Sequence, residues 1–418
     1  MLFMRSSRWQ EQDMEQQFLI QGGRCLLQAD EGNADWRDTD IALAGLQIAA
    51  IGDDMHVPGL AFDASGLLVL PAMIDIHGDA FERQIQPRPA TTFSHAIALA
   101  DTDRQLIANG IATAFHGVTY SWEGGLRGRD AALALMTQLE QQRSTASADH
   151  RIHLRFENHH LDGVQDALDW IASGRVDFFA FNEHLPSMLE KLSRPEKLST
   201  LAERARCDIE VFKARMAAAK ARSAEVPAIV TQLAAACRAR GIPMASHDDT
   251  TSTDREYYQG LDVQVSEFPR SQEALLAAQA MGNHTVMGAP NVLLGGSHCG
   301  SIATLDAVRK GMCDILASDY YYPSLLQAPF ILAEAGACSL ADAWKLVSCN
   351  PAAVLGMNDR GRLAVAHRAD LILVEQLPAG AARLIATFAA GKLVYCAEPG
   401  RLHARIAQSN PPMMALAA

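Results

Sequence analysis

Residues 67–79 read LLVLPAMIDIHGD. An apolar run long enough for a strand stops at a histidine and an aspartate. Strand residues two apart share a face, so His77 and Asp79 project together from its end. The figure recurs downstream. Apolar runs near 67–76, 111–118, 151–157, 176–183, 242–246, 261–267, 284–289 and 313–318 read as strands, with helix-length segments between them. Ser94 is placed to cap one such helix, which stops at Gly110, and Leu135, Met136 and Leu139 lay an apolar stripe along another. Eight βα units between residues 67 and 350 predict an α/β fold, a (β/α)8 TIM barrel.

Outside this stretch the rhythm is that of short strands and turns, as at 18–20, 41–43 and 46–51 before it and 369–374, 384–388 and 392–396 after it. The expected organisation is an N-terminal extension (1–17), a small β domain built from both chain ends (18–65 and 351–400), the barrel (66–350) and a C-terminal tail (401–418). One barrel connection is too long. Residues 187–240 read as a helical insertion, and 190–240 carry 11 Lys/Arg against 6 Asp/Glu. It is either a solvated excursion or a lid over an anionic ligand.

Composition narrows the function. The 418 residues are 49% hydrophobic, enough for a large core, and the formal charge of −12 argues against a nucleic-acid partner held by phosphate contacts. Eight cysteines stand singly with no C-x-x-C pair, which fits a reduced, cytoplasmic protein without a cysteine metal site. The first twenty residues lack the apolar core of a secretory signal, and no run approaches eighteen apolar residues, so no membrane partner is expected. A homodimer is left open.

Barrels place their chemistry at the C-terminal ends of the strands. Those ends carry His77 and Asp79, then Glu157, then His184, then His247 with Asp248 and Asp249, then Glu267, and finally Asp319. A single histidine or aspartate at a strand end is usually a cap or a satisfied polar group. As a set, imidazole and carboxylate suit one or two divalent ions such as Zn, Mn, Fe or Co. Two further features suit phosphate: Arg83 and Arg88 just past the first strand, and the loop Gly295-Gly296-Ser297-His298 read as opening onto a helix N-terminus. Asp248 is a further candidate substrate contact.

The segments LPAMIDIHGDAFERQIQPRP (70–89), ASHDDTTS (245–252), EFPRSQEA (267–274), VMGAPNVLLGGSHCGS (286–301) and ILASDYYYPSLL (315–326) resemble the amidohydrolase superfamily. Within it they are most similar to the diphosphatases that act on a ribosyl 5′-triphosphate in the carbon–phosphorus lyase pathway of phosphonate use. That resemblance implies a cytoplasmic hydrolase whose small-molecule substrate is a phosphorylated ribose. It implies His77, Asp79, Glu157, His184, His247 and Asp319 as metal ligands, with Glu157 bridging two ions and with Asp319 and His247 at the chemical step. The superfamily usually takes ligands from strands one, four, five, six and eight, whereas these lie on one, three, four, five and eight, so Glu267 on strand six is the alternative bridging carboxylate. The wider superfamily also carries His-x-His where this chain has His77-Gly78-Asp79. Two other functions stay open on the residues alone: a C–N hydrolase such as a deaminase or cyclic amidase, and a non-catalytic pathway subunit.

Overall fold

A computed structural model describes residues 17–28, 34–88, 91–193, 195–296 and 303–405. The chain divides into two compact units, one from residues 1–72, 362–376 and 383–418, the other from 73–361 and 377–382.

The first unit is a nine-stranded sheet drawn from both chain ends. Its strands are β1 (Gln17–Gln28), β2 (Ala34–Ala44), β3 (Gln47–Gly52), β4 (Gly59–Asp63) and β5 (Leu68–Pro71), and, beyond the eight barrel strands, β14 (Leu371–Leu377), β15 (Ala381–Ala389), β16 (Lys392–Cys396) and β17 (Leu402–Arg405). The main path runs β16-β15-β14-β5-β1-β2-β3, with β4 on β1 and β17 on β4. Phe18, Ile20, Phe62, Leu371 and Phe388 are buried in its core, and the rings of Phe18 and Phe388 meet edge to face at 4.9 Å.

Three boundaries differ from those expected, one being the return to the terminal unit, at residue 362 and not 351. The run 67–76 is two strands, because β5 pairs with β14 and β1 in the terminal sheet, and the barrel starts only at Met73. Pro71 has no N–H to carry a ladder onward, and the chain changes sheets there. The C-terminal tail also joins the sheet as far as Arg405, its strand pairing antiparallel with β4. Residues 406–418 and 1–16 lie outside the described residues.

The second unit holds eight parallel strands in sequence order: β6 (Met73–Gly78), β7 (Ile111–Tyr120), β8 (Asp149–Glu157), β9 (Phe178–Asn182), β10 (Met244–His247), β11 (Val265–Glu267), β12 (His284–Gly288) and β13 (Ile315–Ala317). A parallel bridge between Gly78 and Asp319 brings the last strand end back to the first. The barrel read from the sequence is the fold found. Ser94 caps the helix His95–Ala108 by accepting from the Ile97 N–H, and Leu135, Met136 and Leu139 are buried on the helix Arg129–Gln142.

Register sets the level of the functional side chains. Glu157 pairs with Asn182, Asn182 with His247, and His247 with Glu267, so four adjacent strands end at one height. The insertion is helical, with Leu185–Glu190, Pro195–Arg204, Ile209–Ala221 and Val226–Arg240, and Leu185, Met188, Leu198, Leu201, Phe212 and Met216 give it its own apolar core. Among the described residues no helix is long and apolar enough to cross a membrane.

Candidate active site

The barrel's C-terminal rim gathers His77, Asp79, His184, His247, Asp248 and Asp319. The His77 and His247 rings lie 5.3 Å apart and those of His184 and His247 5.8 Å apart. His77 Nε2 stands 3.9 Å from Asp79 Oδ1. Asp319 is tied in through the backbone: its N–H donates to the His77 carbonyl (3.0 Å), and its carbonyl accepts from the Asp79 N–H (2.7 Å). Asp75, beneath them, accepts from the backbone N–H and hydroxyl of Ser318, which fixes the strand-eight end against strand one.

Two of these rim residues and one neighbour hold left-handed backbone without glycine: Asp248 (φ 64°), Asp319 (φ 54°) and Phe268 (φ 52°), just past strands five, eight and six. Such conformations each cost about 1–3 kcal/mol and persist where surrounding contacts impose them. Here ladder hydrogen bonds do so, from the Asp248 N–H to the Glu267 carbonyl and from the Phe268 N–H to the Val286 carbonyl, both 2.9 Å. Phe268 is thereby packed against both His77 and His247, with ring centroids at 4.8 and 5.4 Å.

The two glutamates that the sequence offers as a bridging carboxylate have different neighbours. Both Glu157 oxygens are engaged by His184, whose backbone N–H donates to Oε1 (3.0 Å) and whose Nδ1 lies 2.9 Å from Oε2. A carboxylate so engaged is placed to orient a ligating histidine. Glu267 is the carboxylate at the centre. Its Oε1 is 3.1 Å from His77 Nδ1 and its Oε2 is 3.6 Å from His153 Nε2. His77, His247 and Glu267 form one group able to hold a metal ion, and His184, His247 and Asp248 a second.

Arg155 is the residue that strand-end reading overlooks. It shares the inner face of β8 with His153 and Glu157, two residues to either side. Its Nη1 donates to Asp79 Oδ2 at 2.6 Å, and its Nη2 lies 3.2 Å from His247 Nε2. Room for the pair comes from Gly117 opposite, where a Cβ would sit 2.3 Å from Asp79 Oδ1 and 3.0 Å from Arg155 Cδ. An arginine alternating with His153 and Glu157 along one face of a strand, between the apolar Leu154 and Phe156, is the signal that could have found it.

Burial governs the charges. It takes His77 down to about 4 and His247 well below the ordinary imidazole value, which leaves both rings neutral, the form that ligates. Burial raises the Glu267 carboxyl to about 7 and the Asp319 carboxyl to about 6. For Asp79, burial opposes ionisation, but the Arg155 guanidinium outweighs it and holds the carboxyl below its usual value.

The donor chemistry fits divalent cations. His77 Nε2, Asp79 Oδ1, His247 Nδ1 and Glu267 Oε2 are buried without a hydrogen-bond partner, and unpaired buried donors and acceptors at a rim of this composition suit metal coordination.

The candidate phosphate residues divide, with Arg83 set against the residue that follows Asp319. Arg83 lies over the Tyr320 ring at 5.7 Å, and Arg88 is exposed and bridges to Thr91 through its backbone. Gly295 does not open a helix. It ends the helix Ala289–Leu294 in left-handed conformation (φ 70°), with the Gly296 N–H on the Asn291 carbonyl, so these two amides close a C-terminus, while the helix that the loop leads into is Thr304–Arg309. Ser297 and His298 lie outside the described residues.

No protein-family model matches the chain. Among solved structures it is similar in fold to an amidohydrolase from an environmental sample of the Sargasso sea (TM-score 0.61, 15% identity, 91% of this chain and 93% of that one). It is likewise similar to a Xaa-Pro dipeptidase with bound methionine in its active site (TM-score 0.60, 13% identity, 91% and 100%). In sequence it is 32% identical, over 324 residues, to the α-D-ribose 1-methylphosphonate 5-triphosphate diphosphatase of Escherichia coli (strain K12), which covers 76% of this chain and 85% of that enzyme. A rim of histidines and carboxylates on a shared barrel, and identity maintained over most of both chains, lead to one assignment: the chain belongs to the family of that diphosphatase, hydrolases on the amidohydrolase fold.

Proposed function

We propose that this protein hydrolyses a ribosyl 5′-triphosphate, α-D-ribose 1-methylphosphonate 5-triphosphate or a close analogue, to the 5′-phosphate and pyrophosphate during phosphonate catabolism in the cytoplasm. The observation that carries the proposal is the relative's activity, joined to a strand-end donor set that converges in space. One or two divalent ions, with Zn best matched to these nitrogen and oxygen donors and Mn, Fe or Co as alternatives, would supply Lewis-acid polarisation and a more acidic water when bound. His77, His247, Asp79 and Glu267, with His184 and Asp248, are the residues to hold them.

The chain's own groups then have distinct tasks. Water adds to the α-phosphorus as the bond from that phosphorus to the α–β bridging oxygen breaks, and the electron pair leaves on that oxygen with pyrophosphate. Asp319 takes the water's proton, a role suited to a carboxyl raised to about 6. Arg155, a fixed cation between Asp79 and His247, offsets negative charge developing beside it. Glu157 keeps the His184 ring in one orientation.

The test is incubation with a ribosyl triphosphate panel, with and without chelator, scoring pyrophosphate, phosphate and ammonia. In ¹⁸O-labelled water the label is expected in the ribose 5′-phosphate. Label in the pyrophosphate would move the attack to the β-phosphorus. Turnover of C–N substrates alone, with ammonia released, would overturn the proposal.

A further inference from the structure

Behind the donors of strands five and six lies a buried ionic network that takes no part in the proposed reaction. Its centre is Asp249, 3% exposed. Asp249 Oδ2 accepts from the Ser246 hydroxyl (2.7 Å), the Ser266 hydroxyl (2.7 Å) and Arg255 Nη1 (3.1 Å). Arg255, on the helix Ser252–Gln259, is fully buried. Its Nη1 also donates to Ser246 Oγ, and its Nη2 donates to the Val263 carbonyl (3.0 Å) and to Asn283 Oδ1. Charges out of water persist only when paired and hydrogen-bonded, and this pair meets both conditions.

The place of the network in the barrel gives it a task. Ser246 and Ser266 are register partners on β10 and β11, and the next pair along the same ladder is His247 with Glu267. Side chains alternate along a strand, so the two hydroxyls and the two donors project to opposite faces. One carboxylate oxygen thus clasps both strand ends from behind. The bond from Ser246 to Asp249 also closes a turn around the two residues between them, His247 and Asp248. It adds a side-chain restraint to the ladder bond that holds Asp248 in left-handed backbone. The Asp249 carbonyl accepts from the Arg270 N–H at 2.8 Å, which joins this turn to the one after β11. A capping box of Thr251 and Asp254 starts the helix that carries Arg255, so the cation is fixed from its own side. His247 belongs to both groups able to hold a metal ion, Glu267 to one and Asp248 to the other, and the network bears on all three.

We infer that Asp249, with Arg255 as its counter-ion, is the positioning residue of the metal centre. Through Ser246 and Ser266 it sets the directions of His247, Asp248 and Glu267, and so the separation of the atoms they offer to an ion. The inference rests on the metal reading of the rim. A pair that served stability alone would leave the surroundings of a bound ion unchanged, whereas a positioning pair alters them when its links to the strands are cut.

The test cuts those links and keeps the ion pair. In the Ser246→Ala/Ser266→Ala variant both hydroxyls are lost with little change in volume, and Asp249 still faces Arg255. Thr102→Val is the control: it too removes a buried hydroxyl, one that donates to the Ala98 carbonyl within the helix His95–Ala108. The probe is Co(II), added to metal-stripped full-length protein, with affinity read by chelator competition and ligand geometry by the visible d–d absorption. The double variant should bind Co(II) about 10-fold more weakly or worse, with a shifted d–d band. Thr102→Val should melt lower than the parent and keep the parent's affinity and band. Parent-like affinity in the double variant overturns the inference, and so does an equal loss of affinity in Thr102→Val, which would show general loosening. If the double variant does not fold, Ser266→Ala alone decides by the same two readouts. The metal reading fails by a different result: a parent protein that takes up no Co(II) sinks that reading and the inference with it, whereas equal uptake by parent and variant sinks the inference alone.

Discussion

Replacing Arg155 by methionine tests the centre of the site directly. The side chain is of similar length and apolar, so the change removes a charge with little loss of volume. Asp79 is left without the guanidinium that meets it at 2.6 Å, in a place where the two side chains are only 6% and 19% exposed. Two unit charges about 4 Å apart attract by roughly 4 kcal/mol at an effective dielectric constant of about 20. Breaking one side of a buried pair typically costs about 3–5 kcal/mol, the same size. Each kcal/mol moves the midpoint of a large domain by about 2–4 °C, so the metal-free variant should melt on the order of 10 °C below the parent. Adding a divalent ion should recover most of that loss, because a cation again faces Asp79 and His247. Thermal melts of metal-stripped and metal-loaded protein, followed by circular dichroism, read both effects. A stripped variant within about 1 kcal/mol of the parent would refute the ion-pair argument. A loss that no divalent ion restores would make Arg155 a support of the fold and not of the metal centre.

Three further outcomes are expected. Asp319→Asn and His247→Ala should each lower turnover by several orders of magnitude with the far-UV spectrum unchanged; asparagine tolerates the left-handed backbone at 319, and near-normal rates in either variant would remove that residue from the chemistry. Glu157→Gln should weaken metal affinity about 10- to 100-fold in a chelator competition, as a lost orienting partner does, whereas complete loss of one ion would return Glu157 to direct ligation. His160, packed edge-on against Tyr120 at 4.4 Å, is taken down to about 4 by burial, so its neutral form contributes stability that is full above the unfolded value near 6.5 and is lost as pH falls toward 4. His160→Phe should therefore lose about 3 kcal/mol less than the parent over that interval, measured by denaturant unfolding at each pH, and parallel losses would show that the ring does not carry the acid sensitivity.

The sequence by itself determined the eight strands, their order and the helices between them, because apolar periodicity, the Ser94 cap and glycine stops act within a few residues of one another. It also determined which strand ends carry histidine and carboxylate, since side-chain direction along a strand follows from a period of two. What each of those groups touches was decided only in three dimensions. Glu267 reaches His77 across 190 residues of chain, Arg155 reaches Asp79 across 76, and Arg204 reaches Glu123 across 81. No local pattern encodes such pairs, because they depend on barrel closure and on the register that sets Glu157, Asn182, His247 and Glu267 at one height. The same holds for the glycines at 295 and 296. A glycine pair reads alike whether it opens a helix or closes one, and only the turn after Leu294 shows that these amides face their own helix C-terminus. At Pro71 the apolar run continues without a break in the sequence, and the pairing of Leu68–Pro71 with Leu371–Val374 is what sets the boundary. Local sequence thus decides elements and the direction of their side chains, while long-range closure decides partners, because a contact between distant residues draws its free energy from a geometry that exists only once the barrel has formed.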